Sequence, residues 1–380
     1  MRLIYVANAR IPTGKAHGVQ IMKMCESFAH LGLEVELWVP TRSNIIKADP
    51  FDYFAVKKNF KIVKVPSLDL VRYGRLGFSV QKATFILSSA IRSIFSKAEV
   101  FYTRDESFAL FASLFNKNVY WEVHTNKLDY LVRMIIGRGM KIVAISNGLR
   151  DFLISKGARE SNILIAHDGV SVKDFEASVS KSELRDKLGL PQDRFIVAYV
   201  GKYTTMGSKK GVDELIASFS NLFEKHKNIL LLIVGVNPSE VPILEDLMRK
   251  NNVGAEDYSL RMFVPHKDIP SYLKASDALV MNYPATEHYS LYMSPLKMFE
   301  YMASSVPVVA TDISSVREVL NEENAVLIRP EDPESLYNGL ENLVLDPLMG
   351  ERVSKQAFQD VKIYDWQKRA EKILNFIDKA

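Results

Sequence analysis

The sequence predicts an α/β protein built on parallel sheets and divided into two or three domains. Three observations carry this. The chain has 380 residues, 47% hydrophobic and 25% charged, a globular composition at a length that suits more than one domain. Its first forty residues read strand, glycine-bearing loop, helix, strand, which is a βαβ unit. A second series of short apolar runs alternating with helical spacing begins at Phe195–Val200, so a second sheet starts there.

In the first half, Leu3–Ala7 is a short apolar strand, followed by a loop holding Pro12, Gly14 and Gly18. Val19 to His30 has helical spacing, with Ile21, Met24, Cys25 and Phe28 on one face, and Val35–Pro40 is the second strand. The loop lies at the carboxyl end of the first strand, where open α/β sheets bind ligands, and its glycines allow close approach to a phosphate or an acceptor. It matches neither G-x-G-x-x-G nor a Walker loop. Asp49–Phe54 suggests turns, Ile62–Val65 a strand, and Ser79 to Phe95 a helix preceded by Arg72, Tyr73, Arg75 and Phe78. That basic and aromatic mixture reads either as an ordinary surface loop or as a segment suited to a lipid-linked acceptor at a membrane. Val100–Thr103 and Val119–Val123 are further strands, and His124 directly follows the second. A His there is either placed toward a ligand or simply a structural residue. Ile142–Ser146 and Ile163–Ala166 complete the first series, and Asp168-Gly169 is a turn pair at a domain boundary.

In the second half, 175–191 reads as linker and a short helix. Gly201-Lys202 follows the Phe195 strand, and a polar loop leads to Lys209-Lys210-Gly211 and a helix to about Phe223. Ile229–Val234 with Gly235 is a strand and turn, 241–252 a helix, Leu260–Val264 a strand, Ile269–Ala275 a helix and Asp277–Met281 a strand. The chain after Pro330 is helical. The stretch Ser290–Asp312 carries the most chemistry. Ser294-Pro295 is a helix start, with Ser as N-cap and Pro at the first helical position. Leu296, Met298, Phe299, Met302 and Ala303 give the helix a core face, and Val306–Asp312 is a buried strand. First-turn N–H groups have no intrahelical partner and suit an anion. Glu300, a turn and a half in, is placed for a sugar hydroxyl beside a bound phosphate, or else is a solvated residue on a core helix.

Leu-Lys-Met-Phe-Glu-Tyr-Met-Ala followed by Val-Pro-Val-Val-Ala-Thr-Asp resembles the signature of family 4 retaining glycosyltransferases, which have the GT-B fold and a Glu-x7-Glu motif. The resemblance implies two Rossmann-like domains facing a cleft. The acceptor-side domain is 1–172, with the last helix, about 360–380, packing back on it, and the nucleotide-sugar domain is 173–358. Glu300 matches the second Glu of the motif, which binds the donor ribose. Tyr292 stands where the first Glu, a donor-sugar contact, is expected, and Glu287 is the nearby carboxylate that would replace it. Glu122-Val123-His124 is similar to the family's Glu-x-His, which gives His124 a catalytic contact to the donor sugar. Gly201-Lys202 and Lys210-Gly211 resemble its Gly-Arg…Lys-Gly pattern, which assigns Lys202 and Lys210, with the helix start at Pro295, Leu296 and Lys297, to the donor diphosphate. Lys202 keeps the Arg charge without its fork. Gly14 and Gly18 correspond to the acceptor or phosphate loop, and Pro265-His266 to the nucleobase turn.

The reading is therefore a metal-independent hexosyl- or N-acetylhexosaminyltransferase of polysaccharide or glycoconjugate synthesis. Its expected partners are a nucleotide-sugar and a glycan or lipid-linked acceptor, with no cofactor, no metal and no nucleic acid. No Asp-x-Asp and no Cys/His cluster at zinc spacing occurs. Two rivals stand beside it: a sugar-nucleotide epimerase or hydrolase of the same fold, and a non-catalytic nucleotide-sugar-binding partner of a glycosyltransferase complex. The single Cys25 excludes an internal disulfide framework and fits a reducing compartment. The net charge of +4 is uneven: residues 1–170 hold 24 Lys+Arg against 14 Asp+Glu, and the remainder 25 against 31. A basic half is either an unevenly solvated surface or one that meets anionic lipid, so the expected location is cytoplasmic, peripheral on the inner face of the membrane.

Overall fold

The computed structural model describes residues 1–116, 118–176, 179–205 and 208–378, with backbone alone at Thr205, Ser208 and Lys209. The chain divides into two compact units, Met1–Asp168 with Trp366–Ala380, and Gly169–Asp365.

The first unit is a seven-stranded sheet of β1 (Arg2–Val6), β2 (Glu34–Pro40), β3 (Lys61–Val65), β4 (Val100–Thr103), β5 (Val119–Val123), β6 (Lys141–Ala144) and β7 (Ile163–Ile165). Every pair is parallel and the order is β3-β2-β1-β4-β5-β6-β7. Leu3, Ile4, Tyr5 and Val6 are fully buried. A parallel strand covered on both faces needs a continuous apolar run rather than alternation, and β1 has one.

The second unit opens with β8 (Phe195–Val200), followed by the short antiparallel pair β9 (Thr204–Thr205) and β10 (Ser208–Lys209). Then come β11 (Ile229–Val236), β12 (Tyr258–Met262), β13 (Ala278–Met281), β14 (Val308–Thr311) and β15 (Val326–Ile328). Its six-stranded parallel sheet runs β12-β11-β8-β13-β14-β15. The strand order reverses between β8 and β13. In an open α/β sheet that switch point, at the strands' carboxyl ends, is where the following loops diverge and leave room for a ligand.

Several local expectations are corrected. The first helix is Ala16–His30, so Gly18 is its third residue and not part of the loop. A Cβ there would lie 2.5 Å from Thr13 Cγ2 and 2.9 Å from the Phe54 ring, so Gly18 serves close packing of the helix start. Gly14 does lie in the loop and is exposed. Within the expected turns lies a short helix, Pro50–Phe54, capped by Asp49, which accepts from the Phe51 and Asp52 N–H groups. The helix expected from Ser79 begins at Gly74 and ends at Ile94. Gly235 lies inside β11 at an irregularity between Val234 and Val236. The strand expected at Leu260–Val264 is β12, two residues earlier. Pro295, not Ser294, occupies the N-cap position of the helix Leu296–Ala303, because its extended ψ of 129° keeps it out of the first turn. The following strand is limited to Val308–Thr311, because Ser305 (φ 58°) turns the chain first. The last helix starts at Trp366, and residues 379–380 of the expected helix lie outside the described residues. Among the described residues, no helix is long and apolar enough to cross a membrane.

Candidate functional site

In the second unit the loops after β8 and β13 are held together by a close backbone contact. Gly211 has φ +73°, and a Cβ on it would fall 1.8 Å from the Asn282 carbonyl oxygen. Only glycine fits there on both counts. Asn282 Nδ2 donates to the Gly211 carbonyl at 3.2 Å, and Thr311 Oγ1 donates to Asn282 Oδ1 at 3.1 Å. This fixes the start of the helix Val212–Lys225, and with it Lys210, at the end of β13.

Three lysines gather at this point. Lys297, in the first turn of the Leu296–Ala303 helix, folds its ammonium inward over three tyrosine rings. Nζ lies 3.8 Å from the Tyr199 centroid, 5.7 Å from Tyr283 and 5.9 Å from Tyr301. A Cβ on Gly201 would come within 2.8 Å of that Nζ, so the ammonium rests against the end of β8. Nζ is buried and has no hydrogen-bond acceptor among the described residues. Burial, then the neighbouring Lys210 charge, push Lys297 well below the ordinary lysine range, with Glu300 pulling the other way. Lys210 Nζ lies 6.0 Å from the Tyr283 centroid. Burial and then Lys202 lower Lys210 to about 8. Lys202 itself is exposed, and its carbonyl accepts from Tyr199 Oη at 2.9 Å. Beside the lysines, Pro295 provides no side-chain cap and the first turn of the helix carries no acidic residue. Its N–H groups therefore add positive potential to the same place.

One and a half turns along that helix, Glu300 Oε1 is 2.7 Å from His266 Nε2. His266 follows Pro265 in the short turn after β12. Glu300 and the expected nucleobase turn therefore touch. Tyr292 is buried and its hydroxyl lies 3.1 Å from Glu287 Oε1. The short helix Glu287–Leu291, capped by Thr286, brings these two residues together. Sequence spacing gave no such link.

In the first unit, β5 carries Glu122, fully buried between apolar neighbours. A carboxylate there needs donors to offset its lost hydration. It has four: Gln20 Nε2, Tyr102 Oη, Arg369 Nη2 at 2.9 Å and His124 Nε2 at 2.6 Å. Burial alone would raise its pKa. Arg369, the His124 hydrogen bond and Arg104 outweigh it and hold Glu122 well below the usual range. An ionised carboxylate only accepts, so His124 Nε2 carries the proton and Nδ1 presents a lone pair. Burial, then Arg104, depress His124 to about 4, which keeps the ring neutral near pH 7. Arg369 also donates to the His167 carbonyl at 2.7 Å and the Ala166 carbonyl at 3.1 Å. Burial raises the neighbouring Asp168 to about 6, against the pull of Arg369.

Sequence reasoning missed Glu122 as a hub, along with Gln20, Tyr102, Arg369 and the three tyrosines under Lys297. A signal for Glu122 was present, since a lone acid inside Val-Tyr-Trp-Glu-Val must find partners. For Arg369, in a polar amphipathic helix, there was none.

Residues 180–360 match the family model of glycosyl transferases group 1. An uncharacterized glycosyltransferase, MJ1607, of Methanocaldococcus jannaschii is 24% identical over 242 residues, covering 62% of this chain and 59% of the relative. The putative teichuronic acid biosynthesis glycosyltransferase TuaC of Bacillus subtilis is 24% identical over 228 residues, covering 60% and 52%. The chain thus spans somewhat more than half the length of these curated relatives. Among solved structures, Anabaena Alr3699/HepE in complex with UDP aligns over 100% of both chains with TM-score 0.76 and 14% identity. The two parallel α/β units are those of the GT-B fold.

Proposed function

We propose that this chain, whose residues 180–360 match the glycosyl transferases group 1 model, is a retaining glycosyltransferase moving a sugar from a nucleotide-sugar to an acceptor hydroxyl. The observation that carries this reading is the buried Lys297 ammonium, which lacks an acceptor among the described residues, beside Lys210 at an uncapped helix N-terminus. Positive charge desolvated in this way is costly without an anion and favourable with one. A nucleoside diphosphate supplies the anion. Lys297, Lys210, Lys202 and the N–H groups of Leu296 and Lys297 hold it and stabilise the charge that develops as it leaves. These groups offer the leaving group its charge stabilisation with no metal.

Glu300, anchored through Oε1 by His266, takes a ribose hydroxyl on Oε2, and the Pro265-His266 turn lies against the base. Tyr292 and Glu287 together take the place of the missing first Glu and meet the donor sugar. His124 Nδ1 accepts from a sugar hydroxyl, a role that needs the neutral ring. The leaving diphosphate takes the acceptor proton on the face that it leaves, which retains configuration. The UDP bound to HepE supports a nucleotide donor, and the TuaC match supports an acceptor in polysaccharide or glycoconjugate synthesis, glycan or lipid-linked. A cytoplasmic site, peripheral on the membrane, suits such an acceptor.

The test is calorimetry with nucleoside, nucleoside diphosphate and nucleotide-sugar, after a thermal-shift screen of UDP-, GDP-, ADP- and dTDP-sugars has chosen the base. Lys210→Ala is expected to weaken diphosphate binding far more than nucleoside binding. Glu300→Ala is expected to weaken both, by about tenfold to a hundredfold for a lost charged hydrogen-bond partner. Equal losses for nucleoside and diphosphate in Lys210→Ala would overturn the phosphate assignment. Donor turnover that needs no acceptor would point instead to an epimerase or hydrolase, and donor binding without any turnover to a non-catalytic partner.

A further inference from the structure

The first sheet has a switch point of its own. Its order reverses between β1 and β4, so the loops after these strands diverge at their carboxyl ends. Three arginines stand in the loops around it: Arg10 after β1, Arg42 after β2 and Arg104 after β4. Arg104 is engaged, since its Nη1 donates to Gln20 Oε1 at 2.6 Å. The other two are not matched in this way. The Arg42 side chain is only 9% exposed, and its ion-pair partner, Asp69 Oδ1, lies 3.7 Å from Nε, beyond hydrogen-bond reach. Asp69 is held by the backbone instead, where Oδ2 accepts from the Ser43 N–H at 2.8 Å. Arg10 Nε and Arg42 Nε are both buried with no hydrogen-bond acceptor among the described residues. Burial, then the Arg10 charge, lower Arg42 from its ordinary value, with Asp69 pulling the other way. Backbone ties keep the two loops together. Asn44 Nδ2 donates to the Pro12 carbonyl at 2.7 Å, and Ser67 Oγ donates to the Thr41 carbonyl at 3.0 Å. Two desolvated like charges braced in this way are unfavourable until an anion joins them.

We propose that Arg10 and Arg42 hold a singly charged oxyanion on the acceptor, the carboxylate of an acidic sugar or a phosphate diester. This deepens the transferase reading above and rests on it. Charge selects the group. Two guanidiniums against the one Asp69 carboxylate leave a single positive charge, which a monoanion balances and a neutral sugar does not. The guanidinium fork receives two oxygens of one anion, and both candidate groups present two. Place selects the substrate. The donor diphosphate has its own cations, Lys297 and Lys210, in the second unit, whereas the arginines belong to the first. His124, assigned to the donor sugar, follows β5, two strands from β1 in the order β1-β4-β5. At about 4.8 Å per strand that is about 10 Å. An acceptor seated by its charge on the arginines therefore runs along the same edge of the sheet toward His124.

The test is ligand-observed NMR on the full chain with three probes. Glucuronic acid and glucose differ only in a carboxylate, and glycerophosphoglycerol is a phosphate diester. The expected result is binding of an anionic probe and none of glucose. Arg10→Gln and Arg42→Gln are each expected to weaken that binding by about tenfold to a hundredfold, the loss of one charged hydrogen-bond partner. Arg10 has no acceptor to lose at Nε, so Arg10→Gln is expected to leave the melting midpoint unchanged or raised, which separates lost binding from lost folding. Lys297→Met is expected to leave anion binding intact, because the probe then sits outside the diphosphate site. Binding of glucuronic acid alone assigns an acidic sugar, and of the diester alone a phosphate-linked acceptor. No binding of either anion, or binding indifferent to both arginine variants, overturns the proposal. Loss in Lys297→Met equal to that in Arg10→Gln overturns it as well. Calorimetry with nucleotide-sugars, run in parallel, separates the two readings. Donor binding without anion binding removes this inference and leaves sugar transfer standing, and anion binding without any donor binding overturns the assignment to an acceptor.

Discussion

Replacing Lys297 by Met should stabilise the ligand-free protein and cripple its diphosphate binding. Met keeps the length and apolar stem of Lys and removes the ammonium. In the structure that ammonium is buried, has no acceptor among the described residues, and shares the Tyr283 ring with Lys210. Tyr199, 3.8 Å away, returns part of the lost hydration through its ring face, worth about 2 kcal/mol when desolvated. A buried donor left unsatisfied costs about 1–3 kcal/mol, more when charged. A net gain of about 1–2 kcal/mol for Lys297→Met near pH 7 follows. Because the folded-state pKa lies below the unfolded value, the penalty is present below both and fades as pH rises toward 10. The gain in the variant should therefore shrink over the same range. With a diphosphate bound, the ammonium gains its acceptor and the sign reverses, for a loss of about tenfold to a hundredfold in affinity. Urea melts from pH 7 to 10 and calorimetry with the nucleoside diphosphate measure the two halves. A variant that is less stable and binds the diphosphate normally would refute the reasoning, since Lys297 would then be a packing residue.

Three further outcomes are expected. Lys210 stands at about 8 before ligand arrives, so diphosphate binding above that pH should take up a proton and weaken by up to about tenfold per pH unit, read as buffer-dependent heats. Tyr292→Glu places a carboxylate beside Glu287, now a hydrogen-bond partner at 3.1 Å, and should change sugar preference or transfer rate with little change in diphosphate affinity. Asp168→Asn removes a carboxyl raised by burial to about 6, and should stabilise the protein above pH 6 by up to about 3 kcal/mol, a gain that fades as pH falls to 4 and is measurable by urea melts.

The fold was legible because its strands are buried on both faces. The apolar runs at Phe195–Val200 and Val119–Val123 coincide with β8 and β5 to the residue. Boundaries slipped where local backbone chemistry decided them: at Pro295, whose extended conformation excludes it from the helix it introduces, and at Ser305, which turns the chain before β14. Within the site, Glu300 and Lys210 were legible from their place beside a helix start and a glycine. Lys297 was named too, as part of the helix start, but the burial of its ammonium was not legible, because its environment is three rings from three separate segments, Tyr199, Tyr283 and Tyr301. Glu287 and Tyr292 lie five residues apart, a separation with no fixed meaning until the short helix between them is known.

Glu122 shows how a residue far along the chain sets the chemistry of His124. Three donors besides His124 meet the one carboxylate: Gln20 from the first helix, Tyr102 from β4 and Arg369 from the last helix. Of these only Arg369 brings a full charge to the carboxylate itself, and it is the leading influence that holds Glu122 ionised against burial. Ionised, Glu122 accepts the Nε2 proton of His124 and so defines which ring nitrogen offers a lone pair. Were Glu122 protonated, it would donate in one of these contacts and the tautomer would no longer be fixed. The last helix is thus more than packing against the first: through Arg369 it decides the hydrogen-bonding sense of a side chain at the carboxyl end of β5. Sequence distance hid this link, and only the buried charge on β5 required that some such partner exist.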